Sequence, residues 1–191
     1  MVVTRTTKVS VGLFATWALS DVEELCTMRR SSREVLPRLP EFFPIPDELR
    51  RAGISRQHLL TGMAVMASVM GAAAADGVRS GGRSPVFRGV LLAFGLHGFG
   101  HLAMAGAARQ YVSGLLTAPT IVIPYWLWAR EELAAEGIAD VDRASLAVAA
   151  AGMPVLLGIH TLVYRLLDRS TRPRGRRRHA GSAASQRRSP R

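Results

Sequence analysis

Four stretches of this chain carry no Asp, Glu, Lys or Arg: residues 57–75, 89–108, 110–129 and 144–164. Each approaches the roughly 20 residues that a helix needs to cross the hydrocarbon core of a bilayer. A soluble helix of that length turns a charged face to water, and these windows lack one. The chain has 191 residues and a formal net charge of +11 although 48% of it is hydrophobic, so the charge is concentrated in the connections. This pattern points to an all-α fold, a polytopic transmembrane helical bundle.

A fifth span is expected from the first segment, "KVSVGLFATWALSDVEEL". It is uncharged only over 9–20, so as a span it must continue past Asp21, Glu23 and Glu24 to about Met28. The expected spans are 8–28, 57–76, 86–108, 111–129 and 144–167, within one transmembrane domain covering 1–167. Seven arginines lie in 25–56 and nine in the tail 168–191. Basic loops stay in the cytoplasm. Five spans put both regions inside, with the N-terminus outside the cell membrane and the C-terminus cytoplasmic, although Arg5 and Lys8 then fall on the wrong side. The alternative is a cleaved signal, with Ala18 and Ser20 as the small residues before a cut ahead of Asp21. It would put both arginine-rich regions outside, and the charge distribution argues against it.

The connector 29–56 holds Pro37, Pro40, Pro44 and Pro46, which exclude a long regular helix across them. With Phe42, Phe43 and Ile45 it reads as a segment lying at the headgroup level, or as a lid over a site. Pro119 and Pro124 should kink the fourth span, and "REELAAEGIADVDR" reads as an acidic outer loop. The tail 168–191 is polar, arginine-rich and expected to be disordered and cytoplasmic. Its expected partners are anionic lipid headgroups rather than nucleic acid. Cys26, the single cysteine, allows no internal disulfide.

Ionisable groups at membrane depth cost about 2.5–3.5 kcal/mol each on insertion scales, so they point to function. His97 and His101 are four residues apart and share a helix face; Ser20, Glu23 and Glu24 stand at i, i+3 and i+4 on the first helix. The first, third and fifth spans run in the same direction, which brings Glu23, Glu24, His97, His101 and His160 to similar depths. Two carboxylates and three imidazoles at one level suit acid–base chemistry. Glu23, Glu24 and His101 are also a possible set of metal ligands, a divalent ion being the one cofactor these side chains suggest. The bland reading pairs the glutamates with Arg29 or Arg30 at the interface. "HGFGH" lacks the glutamate of the zinc-protease motif, and there is neither a G-x-S-x-G element nor a Walker loop.

"SDVEELCTMRR" and "HLAMAGAARQYVSGLLTAPTIVIPYWLW" resemble the HXXEE family of small bacterial integral membrane proteins over about residues 10–130. That family carries H-x-x-E-E near the end of its first helix, a later membrane histidine, and a Y-x-P-G-x-x-T element. The resemblance places Glu23 and Glu24 on the paired glutamates and His101 on the later histidine. It places Tyr111, Gly114 and Thr117 on the tyrosine, glycine and threonine, and so adds Tyr111 to the candidate site. The chain departs from the pattern twice, with Ser20 for the first histidine and Ser113 for the proline. Serine replaces imidazole neither as a base nor as a strong ligand, so His97 or His160 would have to take over that role.

The function expected from these residues is an intramembrane enzyme acting on a lipophilic small molecule, an isoprenoid, terpenoid or lipid. Glu23 or Glu24 would donate a proton or hold a metal. His97, His101 and His160 would serve as base, shuttle or ligands, and Trp17 would stabilise a developing cation. The alternatives are a proton- or metal-ion-coupled transporter built on the same cluster, and a non-catalytic membrane protein that recruits a partner through its arginine tail.

Overall fold

The computed structural model describes residues 4–41, 45–138 and 141–168. Among these residues every regular element is helical. Helix α1 spans Arg5–Val35, α2 Asp47–Ala52, α3 Arg56–Arg79, α4 Pro85–Ala108, α5 Ile123–Ala135 and α6 Arg143–Val163. A π-helical turn, Ala118–Val122, leads into α5, and another, Tyr164–Asp168, closes α6.

Side-chain caps define the helix starts. Thr4, Ser55 and Ser84 accept from Thr7, His58 and Val86 backbone amides, and Pro85 stands at the first position of α4. Asp142 and Ser145 form a reciprocal capping box at α6. The Ser145 backbone N–H, the Ser145 hydroxyl and Arg88 together lower the Asp142 carboxyl to about 2.

Helices α3, α4 and α6 are long and apolar enough to cross a membrane. The five-span expectation therefore meets those criteria at three helices. The first helix carries Arg5, Lys8, Asp21, Glu23, Glu24 and the arginines of its last turns, and the α-helical part of α5 has 13 residues. Helix α6 presents apolar side chains outward, with Leu146, Val155 and Leu162 each at least half exposed, as a lipid-facing surface requires.

Three expected boundaries are corrected. The first helix does not stop near Met28: no proline or glycine interrupts "TMRRSSREV", so it continues to Val35, just before Pro37. There the Arg30–Glu34 ion pair spans one turn. The fourth span is not helical from 111. Residues 109–116 form an irregular segment in which Gly114 has a φ of 88°. Past residue 129 the same helix runs on to Ala135 and takes in the first half of the expected acidic loop. Ile45 packs beside Leu49, Ile54 and Leu59. Phe42 and Phe43, and the tail from 169, lie outside the described residues.

The five long helices form a ring in the order α1, α3, α6, α4, α5, with the most extensive packing of α1 on α3 and of α4 on α6. At the N-terminal end the ring is filled by Val9, Leu13, Phe87, Leu91, Trp126 and Leu133. Tyr125 donates its hydroxyl to the Val9 carbonyl at 2.5 Å there. Ion pairs rim this end: Arg5 with Glu132 (3.3 Å) and Glu136 (3.6 Å), and Arg88 with Asp142.

Glycines set how closely α4 approaches its neighbours. A Cβ on Gly95 would collide with the Trp126 indole, whereas one on Gly100 would meet nothing within 4 Å. Gly95→Ala should therefore lower stability by about 1–3 kcal/mol through overpacking, and Gly100→Ala should leave it unchanged or raise it. Thermal unfolding of the detergent-solubilised variants checks this; equal effects would mean that α4 and α5 do not meet at Gly95.

Candidate functional site

Successive residues on a helix point about 100° apart, and α1 uses this to separate its paired glutamates. Glu23 faces the irregular 109–116 segment and the helix start at Thr117 that follows it. Its Oε1 accepts from the Tyr111 hydroxyl and from the Leu116 amide at 3.2 Å. Its Oε2 accepts from the Thr117 amide at 2.8 Å and the Thr117 hydroxyl at 2.6 Å. The amides at the start of a helix have no partners within it and favour an anion. Glu23 supplies that anion from a different helix.

The same face of α1 continues the attachment at Thr27 and Ser31. Thr27 and Ser113 hydroxyls lie 2.8 Å apart, and the Ser113 amide donates to Ser31 Oγ at 3.1 Å. A proline at 113 has no such donor, so Ser113 converts the departure from the family pattern into a buried hydrogen bond. Gly114 serves a different neighbour. A Cβ there would stand 2.6 Å from Cε1 of His101, and the positive φ disfavours any other residue. Tyr111, Gly114 and Thr117 thus have distinct physical jobs: two hold Glu23, and one makes room for His101.

Glu24 points the other way, toward a cavity of about 620 Å³ between α1, α3, α4 and α6. His97 and His101 reach it from successive turns of α4, Nε2 to Nε2 at 2.9 Å, with their rings edge-on. Glu24 Oε1 lies 3.4 Å from His101 Nε2. One ligand atom from each of Glu24, His97 and His101 fits within 4.8 Å of the others, a grouping that can hold a metal ion. Most of the wall is apolar, including Trp17, Met63, Met66 and Phe94, while Ser20, Asp21, Thr117 and His160 add polar groups.

Four of the sequence-derived residues therefore line one space: Glu24, His97, His101 and His160. Glu23 and Tyr111 meet each other instead; of the possible ligands Glu23, Glu24 and His101, the last two group with His97 and Glu23 stands apart from them. Sequence reasoning missed two residues. Asp21 lies three residues before Glu24 on the cavity face, a spacing that was readable. His58 is fully buried at the first turn of α3, with Nε2 3.1 Å from His160 Nδ1 and the rings stacked. Nothing in the sequence pairs helices α3 and α6, so that contact had no signal. Ser20, at the motif's histidine position, donates to the Trp17 carbonyl at 2.8 Å and lines the cavity.

The described residues define a class of helical bundle with three helices long and apolar enough to cross a membrane and a carboxylate–imidazole cluster facing an apolar cavity. Within it, the chain belongs to the HXXEE family, described as a protein of unknown function with HXXEE motif, whose model matches residues 11–129. The matched region spans the Glu23 clamp, His97, His101 and all of the 111–117 segment. No match was found among curated proteins or among solved structures.

The two glutamates should respond differently to loss of charge. Glu23→Gln turns an amide NH₂ toward amide and hydroxyl donors and should cost about 1–3 kcal/mol of stability. Glu24→Gln should unfold at nearly the parent temperature, as it faces open space beside the imidazoles. Thermal unfolding in detergent distinguishes them, and the reverse order would contradict the assignment.

Proposed function

We propose that this protein is a membrane-embedded enzyme that transforms a lipophilic molecule, of isoprenoid, terpenoid or lipid type, at Glu24 and His101. The observation that carries the reading is the placement of the Glu24–His101–His97 cluster in the wall of a mostly apolar cavity. Binding sites of this kind combine an apolar volume of about 300–1,000 Å³ with a few convergent polar groups. An acid and two imidazoles in contact can deliver and remove protons with little water present. Trp17 in the same wall suits a substrate that develops positive charge.

In the proposed topology all five long helices cross the membrane, N-terminus outside. The ion pairs of Arg5 with Glu132 and Glu136 support this, because they neutralise a basic residue that would otherwise oppose the positive-inside rule. The arginines at 29, 30, 33, 51 and 56 then lie at the cytoplasmic face. Packing of the outer end by Phe87 and its neighbours favours an enzyme with one-sided access over a carrier.

The test compares lipid extracts from cells lacking the protein, carrying the parent, or carrying Glu24→Gln or His101→Gln at equal membrane levels. The enzyme reading expects one lipophilic species to accumulate without the protein and to be consumed by the parent. Both variants should lose about 10²–10⁴-fold of that activity. Variants that restore the parent extract in full would reject acid–base catalysis at these residues.

A further inference from the structure

The geometry points to a divalent transition-metal site formed by Glu24, His97 and His101, with one carboxylate oxygen and two imidazole Nε2 atoms as ligands and the cavity side open to exchangeable ligands. We propose it as a property of the folded chain, separate from whether the cavity turns over a lipid.

The first argument is distance. Atoms about 2.1 Å from a shared ion stand about 3.0 Å apart at a right angle and about 3.4 Å apart at the tetrahedral angle. The His97–His101 and His101–Glu24 separations are 2.9 Å and 3.4 Å. The third pair falls within the 4.8 Å that encloses all three atoms.

The second argument is proton arithmetic. Each Nε2 carries at most one hydrogen, and a carboxylate only accepts. A hydrogen on His101 Nε2 can point at His97 or at Glu24, but not at both. Hydrogens on both Nε2 atoms would face each other across the 2.9 Å gap. Protons alone leave these three lone-pair atoms imperfectly matched, whereas a cation at their centre satisfies all of them together.

The third argument is charge. A dication with one carboxylate and two neutral imidazoles leaves a net positive charge in apolar surroundings, which is costly. Asp21 lines the same cavity, three residues before Glu24, and can release a proton to offset that charge when an ion binds. The imidazole and carboxylate donors suit Zn²⁺, Fe²⁺, Mn²⁺ or Co²⁺ rather than the all-oxygen preference of Ca²⁺ and Mg²⁺. Both histidines come from one helix, and Gly114 holds space for the His101 ring. With a small serine at position 20 on the cavity wall, the chain leaves coordination positions open there, as catalytic rather than structural sites do.

The experiment uses the full chain, purified in detergent, stripped with chelator and titrated with Co²⁺ while its visible absorption is recorded. One equivalent should bind, with a ligand-field spectrum. Glu24→Gln, His97→Gln and His101→Gln should each weaken binding by at least about 100-fold, the upper end of what even an outer-shell change costs. His160→Gln, at the neighbouring His58–His160 pair, should bind like the parent. If a ligand variant fails to insert, pulsed electron paramagnetic resonance of Cu²⁺ in His160→Gln decides, because two coordinated imidazoles are expected there. No specific Co²⁺ binding by the parent, binding that survives loss of the ligands, or binding abolished by His160→Gln would each overturn the site. If Co²⁺ fails to bind at these residues while lipid turnover persists, this inference falls and the acid–base reading stands.

Discussion

The carboxylate of Glu23 is the contact on which the rest of the arrangement depends. It gathers two hydroxyls and two backbone amides from the 111–117 segment and so fixes where the polypeptide turns back after α4. Charge-assisted hydrogen bonds of this type are the stronger ones. With Glu23 committed, the next residue is turned into the cavity. Gly114, carried on the same segment, leaves the gap that His101 fills. The clamp thereby sets both sides of the cluster: Glu24 through its helix and His101 through its packing.

This division explains why adjacent glutamates, a tyrosine, a glycine and a threonine occur together. One carboxylate builds the bundle and the other serves the cavity. The π-helical turn at Ala118–Val122 belongs to the same construction. Pro124 has no N–H to donate to the carbonyl four residues earlier, and the wider turn accommodates its ring. At the opposite end, Arg5 and Arg88 are held by carboxylates of the α5–α6 connection and its flanks. The exposed Arg5 pairs contribute little energy, whereas Arg88 is itself buried.

The helices legible in the sequence were those whose charge-free runs coincide with one element. The runs at 57–75, 89–108 and 144–164 fall within α3, α4 and the stretch from α6 into its closing π turn. The run at 110–129 misled because absence of charge says nothing about backbone conformation. Its first third is held open by hydrogen bonds to Glu23, Thr27 and Ser31, partners more than 80 residues away. The end of α1 was misplaced because a span length was imposed on a helix that has no breaker before Pro37. The meeting of Glu24 with His101 followed from depth, since both lie well past the middle of helices running the same way. Which of two neighbouring glutamates faces the cavity depends on helix rotation, and that is set by tertiary packing.

The central claim is that Glu24, not Glu23, faces His101 across the cavity. The most direct measurement is cysteine crosslinking in membranes, in a Cys26→Ser background, with a short bifunctional thiol reagent. The pair Glu24→Cys with His101→Cys should crosslink efficiently, and the pair Glu23→Cys with His101→Cys should react poorly. Equal reaction of both pairs, or preference for position 23, would contradict the account.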